Sequence, residues 1–183
     1  MSRLNESQGP ALPDRAAPPK GGAQRELAGK VDAFFARAHA RHGDDMQCST
    51  GCSDCCHVRL TVTGAEAEAI RVELARWPAE RRAALAANAR DGAPDRCAAL
   101  APSGRCLIYD VRPIVCRSHG APIRLREGSL PVVQSCHRNF TRTTPDPDCI
   151  LDQETLSALT LMVDRASGGD GTRVDLASVL GTE

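Results

Sequence analysis

Apolar residues recur at helical spacing in three stretches of the chain, which predicts a mainly α-helical fold. The first predicted helix begins at Gln24 and ends at Gly43. Its apolar face consists of Leu27, Val31, Phe34, Phe35 and Ala38. Polar and charged residues fill the intervening positions, so this helix is expected to pack one face against a core.

Residues 63–90 predict two helices separated by a break. Thr63 and Glu66 match a capping box at the start of the first helix. Pro78 interrupts the pattern and is well suited to begin the second helix. We expect the two helices to form an antiparallel pair.

The second half of the chain predicts one hairpin and one helix. Residues 122–133 are typical of two strands that turn at 127–129. A last helix is predicted over 152–165. Its apolar face consists of Leu156, Leu159, Met162 and Val163.

These elements predict one small domain, mainly α, with irregular cysteine-rich loops and a small β-hairpin. It spans residues 24–167. Residues 1–23 are rich in Pro, Gly and Ala and predict a disordered tail. Residues 168–183 form a C-terminal tail whose apolar stretch 174–180 can pack back. Aromatic residues make up only 3% of the chain, so the domain is expected to be stabilised by bound metal.

Charge and hydropathy narrow the classes of partner. Lys+Arg and Asp+Glu both number 23, so no nucleic-acid partner is expected. No apolar run approaches the roughly 20 residues that a membrane span needs. The N-terminal residues lack the apolar region of a secretory signal. We therefore expect a cytoplasmic protein with reduced thiols and no membrane association.

Nine cysteines dominate the candidate chemistry. They are Cys48, Cys52, Cys55, Cys56, Cys97, Cys106, Cys116, Cys136 and Cys149. A disulfide framework conflicts with the odd number and with a reducing compartment. Burial as small apolar residues would account for an isolated Cys149, but not for four thiols within nine residues of small and polar character. The pattern therefore predicts metal ligation.

The spacing leaves the metal open between zinc and an iron–sulfur cluster. Structural zinc sites usually take their ligands from two C-x2–4-C pairs. Here a close group of thiols is joined by remote ones, which is more typical of ferredoxin-type iron–sulfur ligation. Adjacent Cys55 and Cys56 tend to point apart, so they can serve two metal centres, or one of them can lie outside the coordination sphere.

One similar motif is excluded. The spacing Cys48-x3-Cys52-x2-Cys55 is that of the radical S-adenosylmethionine signature, which has an aromatic residue just before its third cysteine. This chain has Asp54 at that position. The alternating strand–helix pattern of those enzymes is also missing from the sequence.

Other residues near the cysteines have weaker signals. His57, His119 and His137 each lie close to a cysteine in sequence and are alternatives as ligands. His39 and His42 lie on the first predicted helix and are expected to face solvent.

Arg112 and Arg117 can donate to thiolates, pair with Asp110 or form ordinary surface ion pairs. Pro113 fixes a turn that directs Cys116 toward Cys106. The segments 48–56 and 106–116 are therefore expected to converge.

Two blocks of sequence carry a family resemblance. The first is Cys48 to Cys56, followed by Val58 to Thr63, and the second runs from Cys106 to Arg117. Over residues 30–165 the chain resembles the YkgJ-like cysteine cluster proteins, whose CxxCxxCC domain is described as zinc- or iron-chelating. The resemblance implies metal ligation by Cys48, Cys52, Cys55, Cys56, Cys106 and Cys116, with Cys97 and Cys136 as further candidates.

The resemblance implies no reaction, because most members have none assigned. A similar cysteine domain occurs in flagellin lysine N-methylases, which supplies an alternative: an iron–sulfur-dependent enzyme. The sequence contains no nucleotide-binding loop and no recognisable catalytic triad. We therefore expect a metal-binding protein without an assigned reaction.

Overall fold

The computed structural model describes residues 21–49 and 51–181, which form helices and short strands joined by loops. The helices are α1 (Gly22–His42), α2 (Gly64–Leu74), α3 (Ala79–Asp91), α4 (Ile114–Ser118), α5 (Gln153–Ala166) and α6 (Leu176–Gly181). The strands are β1 (Thr61–Thr63), β2 (Ile123–Glu127), β3 (Leu130–Gln134), β4 (Leu151–Asp152) and β5 (Arg173–Asp175). The predicted fold class is confirmed, and most cysteines lie in the loops. The N-terminal segment predicted as a tail lies almost entirely outside the described residues.

The predicted hairpin is confirmed and belongs to a slightly larger sheet. β2 and β3 are antiparallel, and Glu127 pairs with Leu130 across a two-residue turn. Gly128 in that turn has a φ of 64°, a conformation that glycine adopts without strain. β4 adds to the other edge of β2 in parallel, which the sequence pattern did not predict.

The predicted capping box joins two distant parts of the chain. The Thr63 side chain accepts a hydrogen bond from the Glu66 N–H, and Glu66 Oε2 accepts one from the Thr63 N–H at 2.9 Å. Glu66 Oε1 in turn accepts from the N–H of Ile114, the first residue of α4, at 2.9 Å. Because Glu66 is only 4% exposed, water cannot readily replace these bonds. One carboxylate thus fixes α4 against the start of α2.

A second buried carboxylate attaches α5 to the same helix start. Asp164 is fully buried and accepts from the Ala65 N–H, in the first turn of α2, at 2.9 Å. Its other oxygen accepts from the Gly171 N–H at 3.0 Å. Asp164 therefore holds together α2, α5 and the loop that leads to the C-terminal segment.

The apolar core has two main parts. The larger part joins α2, α3 and α6 with the loop around Cys97 and Ile108. Both α2 and α3 pack against α6, which lies in the segment predicted as a C-terminal tail. β5 pairs with β1, so residues 173–181 are built into the fold. The smaller part joins α1 with α4 and α5.

The predicted apolar face of α5 is partly wrong. Leu156 is buried, but Leu159 is 41% exposed and Met162 is 64% exposed. The buried stripe passes through Asp164 instead, because the helix is turned so that this carboxylate reaches the start of α2. A polar anchor, which apolar periodicity does not detect, sets the rotation of the helix.

The structure can be compared with the expectation that no segment spans a membrane. None of the helices within residues 21–49 and 51–181 is long and apolar enough to cross a bilayer.

Replacing the Asp164 carboxylate tests its role as an anchor. Asp164→Ala should lower the free energy of unfolding by about 1–3 kcal/mol for each buried N–H that loses its acceptor. Urea unfolding measures the loss. Asp170→Ala is the matched control, because Asp170 is an exposed carboxylate in the same region that caps only the Thr172 N–H. Equal losses in the two variants would contradict the anchoring role.

Candidate metal centre

Two cysteine-bearing loops lie directly against each other. The N–H of Cys97 donates to the carbonyl of Cys56 at 2.7 Å, across 41 positions of the numbering. The second loop is closed on itself by a bond from the Leu107 N–H to the Ala99 carbonyl at 2.8 Å. That closure brings Cys106 back beside Cys97. The backbone therefore gathers thiols from both loops at one edge of the larger core.

Five thiols form what we call the inner thiol group. It consists of Cys55, Cys56, Cys97, Cys106 and Cys116. Burial raises the pKa of Cys97, Cys106 and Cys116, in the last case to about 12. Neighbouring thiols of the group raise these pKa values further, because each charge would repel the next. The predicted convergence of segments 48–56 and 106–116 is present in this group.

The adjacent thiols Cys55 and Cys56 are hydrogen-bonded to each other. The bond from Cys56 lowers the pKa of Cys55, and it raises the pKa of Cys56, which is the donor. The charge of His119 lowers the pKa of Cys55 as well. One thiol of the pair is thus poised to be a thiolate while the other keeps its proton.

Three further thiols form what we call the outer thiol group. It consists of Cys48, Cys52 and Cys136. Burial raises the pKa of Cys48, and the neighbouring thiols of Cys136, Cys52 and Cys55 raise it further. Arg138 lies close to both Cys52 and Cys136 and is paired with Asp54 at 2.7 Å. Cys55, a member of the inner thiol group, therefore lies close to the outer thiol group as well.

Asn139 holds Cys48 in place. Its Nδ2 donates to the Cys48 Sγ at 3.4 Å and to the Gly120 carbonyl at 2.7 Å, and its Oδ1 accepts from the Gln47 N–H at 2.8 Å. Asn139 is 3% exposed, so these bonds are shielded from water. Gly120 has a φ of 95°, and a Cβ there would overlap the Cys48 sulfur. The absence of a side chain at Gly120 thus makes room for the thiol.

Arg117 holds the segment around Cys116 in shape. It is 8% exposed and donates to the carbonyls of Arg112 at 2.9 Å and Asp110 at 2.5 Å. Its remaining nitrogen pairs with Asp32 of α1, and Arg112 pairs with the same carboxylate at 3.3 Å. Of the alternatives raised for these arginines, ion pairing is the one observed, although with Asp32 rather than with Asp110. Arg112 also lies close enough to lower the pKa of Cys106 and Cys116, against the larger effect of burial.

The histidines divide into three cases. His119 lies near Cys55, whereas His137 is 73% exposed and faces Asp54 at 3.4 Å. His39 is exposed, as predicted. The expectation that His42 faces solvent is wrong, since its side chain is 13% exposed and packs edge-on against Phe140.

The eight cysteines predicted as ligands, all of them within the described residues, are neighbours, but no three of their sulfur atoms lie within 4.8 Å of one another. Among residues 21–49 and 51–181, one set of three metal-binding side chains has ligand atoms within 4.8 Å of one another. That set is His42, Asp146 and Cys149, and it contains none of the eight cysteines predicted as ligands. None of the nine cysteines, each of which the structure describes, forms a disulfide bond.

The sequence did not single out Asn139, Gly120 or Asp32 as part of this region. Asn139 follows Cys136 by three positions and Gly120 follows Cys116 by four, which is the only signal that either one gave. Their roles depend on contacts between segments far apart in the chain, and these contacts have no sequence signature.

Comparison with known families yielded one match. A model of the CxxCxxCC family, described as a "putative zinc- or iron-chelating domain", matches residues 47–149. The matched region is more than half of the chain and contains all nine cysteines. No curated protein and no solved structure matches the chain.

A methyl group at Gly120 tests the packing around Cys48. Gly120→Ala should lower the free energy of unfolding by about 1–2 kcal/mol for the left-handed backbone, and by more for the overlap with the sulfur. Gly128→Ala is the matched control, because Gly128 also has a positive φ but nothing lies within 4 Å of its added Cβ. Chemical denaturation of both variants measures the difference. Equal losses would mean that the Cys48 thiol is not confined by Gly120.

Proposed function

Because the chain belongs to the CxxCxxCC family, we propose that it chelates zinc or iron through the eight cysteines of the inner and outer thiol groups. The observation that carries this proposal is the convergence of thiols from four separate segments on one region of the fold. Each ionised thiol raises the free energy of ionising its neighbours, and a bound metal cation offsets that repulsion.

The eight cysteines divide into two sets of four. We assign Cys48, Cys52, Cys55 and Cys136 to one set, and Cys56, Cys97, Cys106 and Cys116 to the other. Support comes from the neighbours of Cys48, which are Cys136, Cys52 and Cys55. Among the neighbouring thiols, Cys97 and Cys106 raise the pKa of Cys116 the most. Adjacent Cys55 and Cys56 then point to different centres, and four thiolates satisfy either a zinc ion or an iron–sulfur cluster.

The donor set fits a soft, thiolate-binding metal. Without metal, burial keeps most of these thiols protonated. A bound cation would replace the protons and neutralise the charge that makes ionisation costly. Cys56 and Cys106 pack against the larger core and Cys97 is part of it, so metal bound to that set would also tie the core together.

Between the two metals, we favour an iron–sulfur cluster for the set that contains Cys48. Three of its thiols come from one short loop and the fourth comes from a remote segment, an arrangement typical of cluster ligation. Zinc ligands more often come as two local pairs. A bound cluster would supply electron-transfer capacity, and zinc would supply structural stability.

Metal analysis of serine variants tests the assignment of the two sets. Protein purified without oxygen should contain zinc or iron, and visible absorption should distinguish a cluster from colourless zinc. Cys52→Ser and Cys116→Ser should each lower the metal content by the amount that one set of four cysteines binds. The losses should add in the Cys52/Cys116 double variant, because the residues belong to different sets. In the Cys56/Cys116 double variant, the loss should not exceed that of one variant alone.

The control is Ser53→Ala, which changes the same loop without removing a thiol and should keep the full metal content. Native-like protein that contains no metal and titrates as nine free thiols would refute chelation itself. Addition of the losses for Cys56 and Cys116 would refute the division into sets while leaving chelation intact.

The raised thiol pKa values give the proposed sites a defined pH dependence. A thiol whose pKa is raised is protonated at neutral pH, so a metal must displace that proton in order to bind. Metal affinity should therefore fall as the pH falls, with release of protons on binding. Competition with a chelator at several pH values measures this slope, and calorimetry in buffers of different ionisation enthalpy counts the protons. Affinity that is independent of pH between about pH 6 and 8 would contradict ligation by these thiols.

A further inference from the structure

The end of α1 faces a short 3₁₀ turn, Pro147–Cys149. His42 is the last residue of α1, Asp146 precedes the turn, and Cys149 ends it. One ligand atom of each of these three side chains lies within 4.8 Å of the other two. Imidazole nitrogen, carboxylate oxygen and thiolate sulfur are the three donor types that zinc accepts from proteins.

His42 Nε2 accepts a hydrogen bond within this group. The Asp146 backbone N–H donates to it at 3.3 Å, so a bound ion would take the place of that N–H at the nitrogen lone pair. The Asp146 carboxylate lies 3.5 Å from the same nitrogen. In a tetrahedral zinc site, metal–ligand lengths of 2.0–2.3 Å put ligand atoms about 3.3–3.8 Å apart. His42 and Asp146 are thus already at ligand spacing.

Burial separates this group from an ordinary surface cluster. Cys149 is 2% exposed and lies in a small apolar cluster with Ala38 and Met46. Its thiol is therefore largely shielded from solvent. The Asp146 side chain is 54% exposed and marks the open side, from which an ion can enter. The Phe140 ring packs edge-on against the His42 ring, with the ring centroids 5.3 Å apart.

We propose that His42, Asp146 and Cys149 form a three-ligand site for a single Zn²⁺ ion, distinct from the cysteine clusters. The thiolate and the carboxylate together balance the charge of the ion. Three protein ligands leave the fourth position to water, the pattern of an open zinc site rather than a closed structural one.

Arg41 is the group that competes with the ion. Its Nη1 lies 3.8 Å from the Cys149 sulfur and 3.9 Å from Asp146, and it also pairs with Asp148. The pair with Asp148 gives the guanidinium a partner when it moves away from the site. Since the Arg41 side chain is 50% exposed, this movement meets little resistance from packing. Without Asp148, Arg41 should lie nearer the site, where the positive charge of its guanidinium would weaken the binding of the ion.

Zinc stoichiometry in matched variants tests the site. Holoprotein is incubated with ZnCl₂, freed of unbound metal and analysed for total metal. His42→Asn should hold one ion per chain less than the wild type, and its apparent zinc affinity at this site should fall more than about 100-fold. That exceeds the roughly 10- to 100-fold loss of a residue that only supports a ligand. Asp146→Asn, an exposed and therefore well-tolerated change, should also weaken the site.

The controls are His39→Asn, one turn earlier on the same helix, and Asp148→Asn, two residues from Asp146. His39→Asn should keep the wild-type stoichiometry, and Asp148→Asn should keep the ion with an affinity within about tenfold. Imidazole NMR adds a site-specific signal, since the His42 ring resonances should move on zinc addition while those of His39 stay. Wild-type stoichiometry in His42→Asn, or an unmoved His42 signal in the wild type, would overturn the proposal. Neither result depends on whether the cysteine clusters hold zinc or iron.

Discussion

The architecture depends on a buried helix start that two carboxylates satisfy. The first turn of α2 exposes backbone N–H groups with no partner inside the helix. Asp164 binds one of them, and Glu66, which belongs to that turn, closes the capping box and holds the first N–H of α4. Each bond is shielded from water, so removing an acceptor would leave an unpaired polar group. As a result, three helices and the C-terminal segment meet at one point, and α4 carries Cys116 into place from there.

The cysteine region is governed by the cost of bringing ionisable sulfurs together. Burial and mutual repulsion both raise the thiol pKa values of Cys97, Cys106 and Cys116. A bound metal cation offsets that repulsion, because its positive charge attracts every thiolate around it. Residues that are not themselves ligands hold the thiols in place. Asn139 donates to Cys48, Gly120 leaves room for its sulfur, and Arg117 holds the turn before Cys116. Such supporting contacts orient ligands and tune what they bind.

The histidine, aspartate and cysteine at the end of α1 are brought together differently from the clustered thiols. Their three donor types belong to segments about 100 positions apart, and only one of them is a cysteine. A site of this kind gives no local spacing signal. It arises because α1 ends where Pro147 begins a tight turn, so helix length and turn geometry together set the ligand spacing.

Local chemistry in the sequence was sufficient to predict the four longer helices and the hairpin, and the resemblance of two cysteine-bearing blocks indicated the family. The capping box at Thr63, the break at Pro78 and the turn at Gly128 each depend on a few adjacent residues, which is why their positions could be predicted. The density of cysteines by itself indicated metal chelation, in agreement with the matched family. Tertiary structure alone decided the rotation of α5, the burial of His42 and the division of the thiols into two groups. These features depend on polar contacts between distant segments, such as Asp164 with Ala65 and Asn139 with Cys48, and apolar periodicity has no information about them.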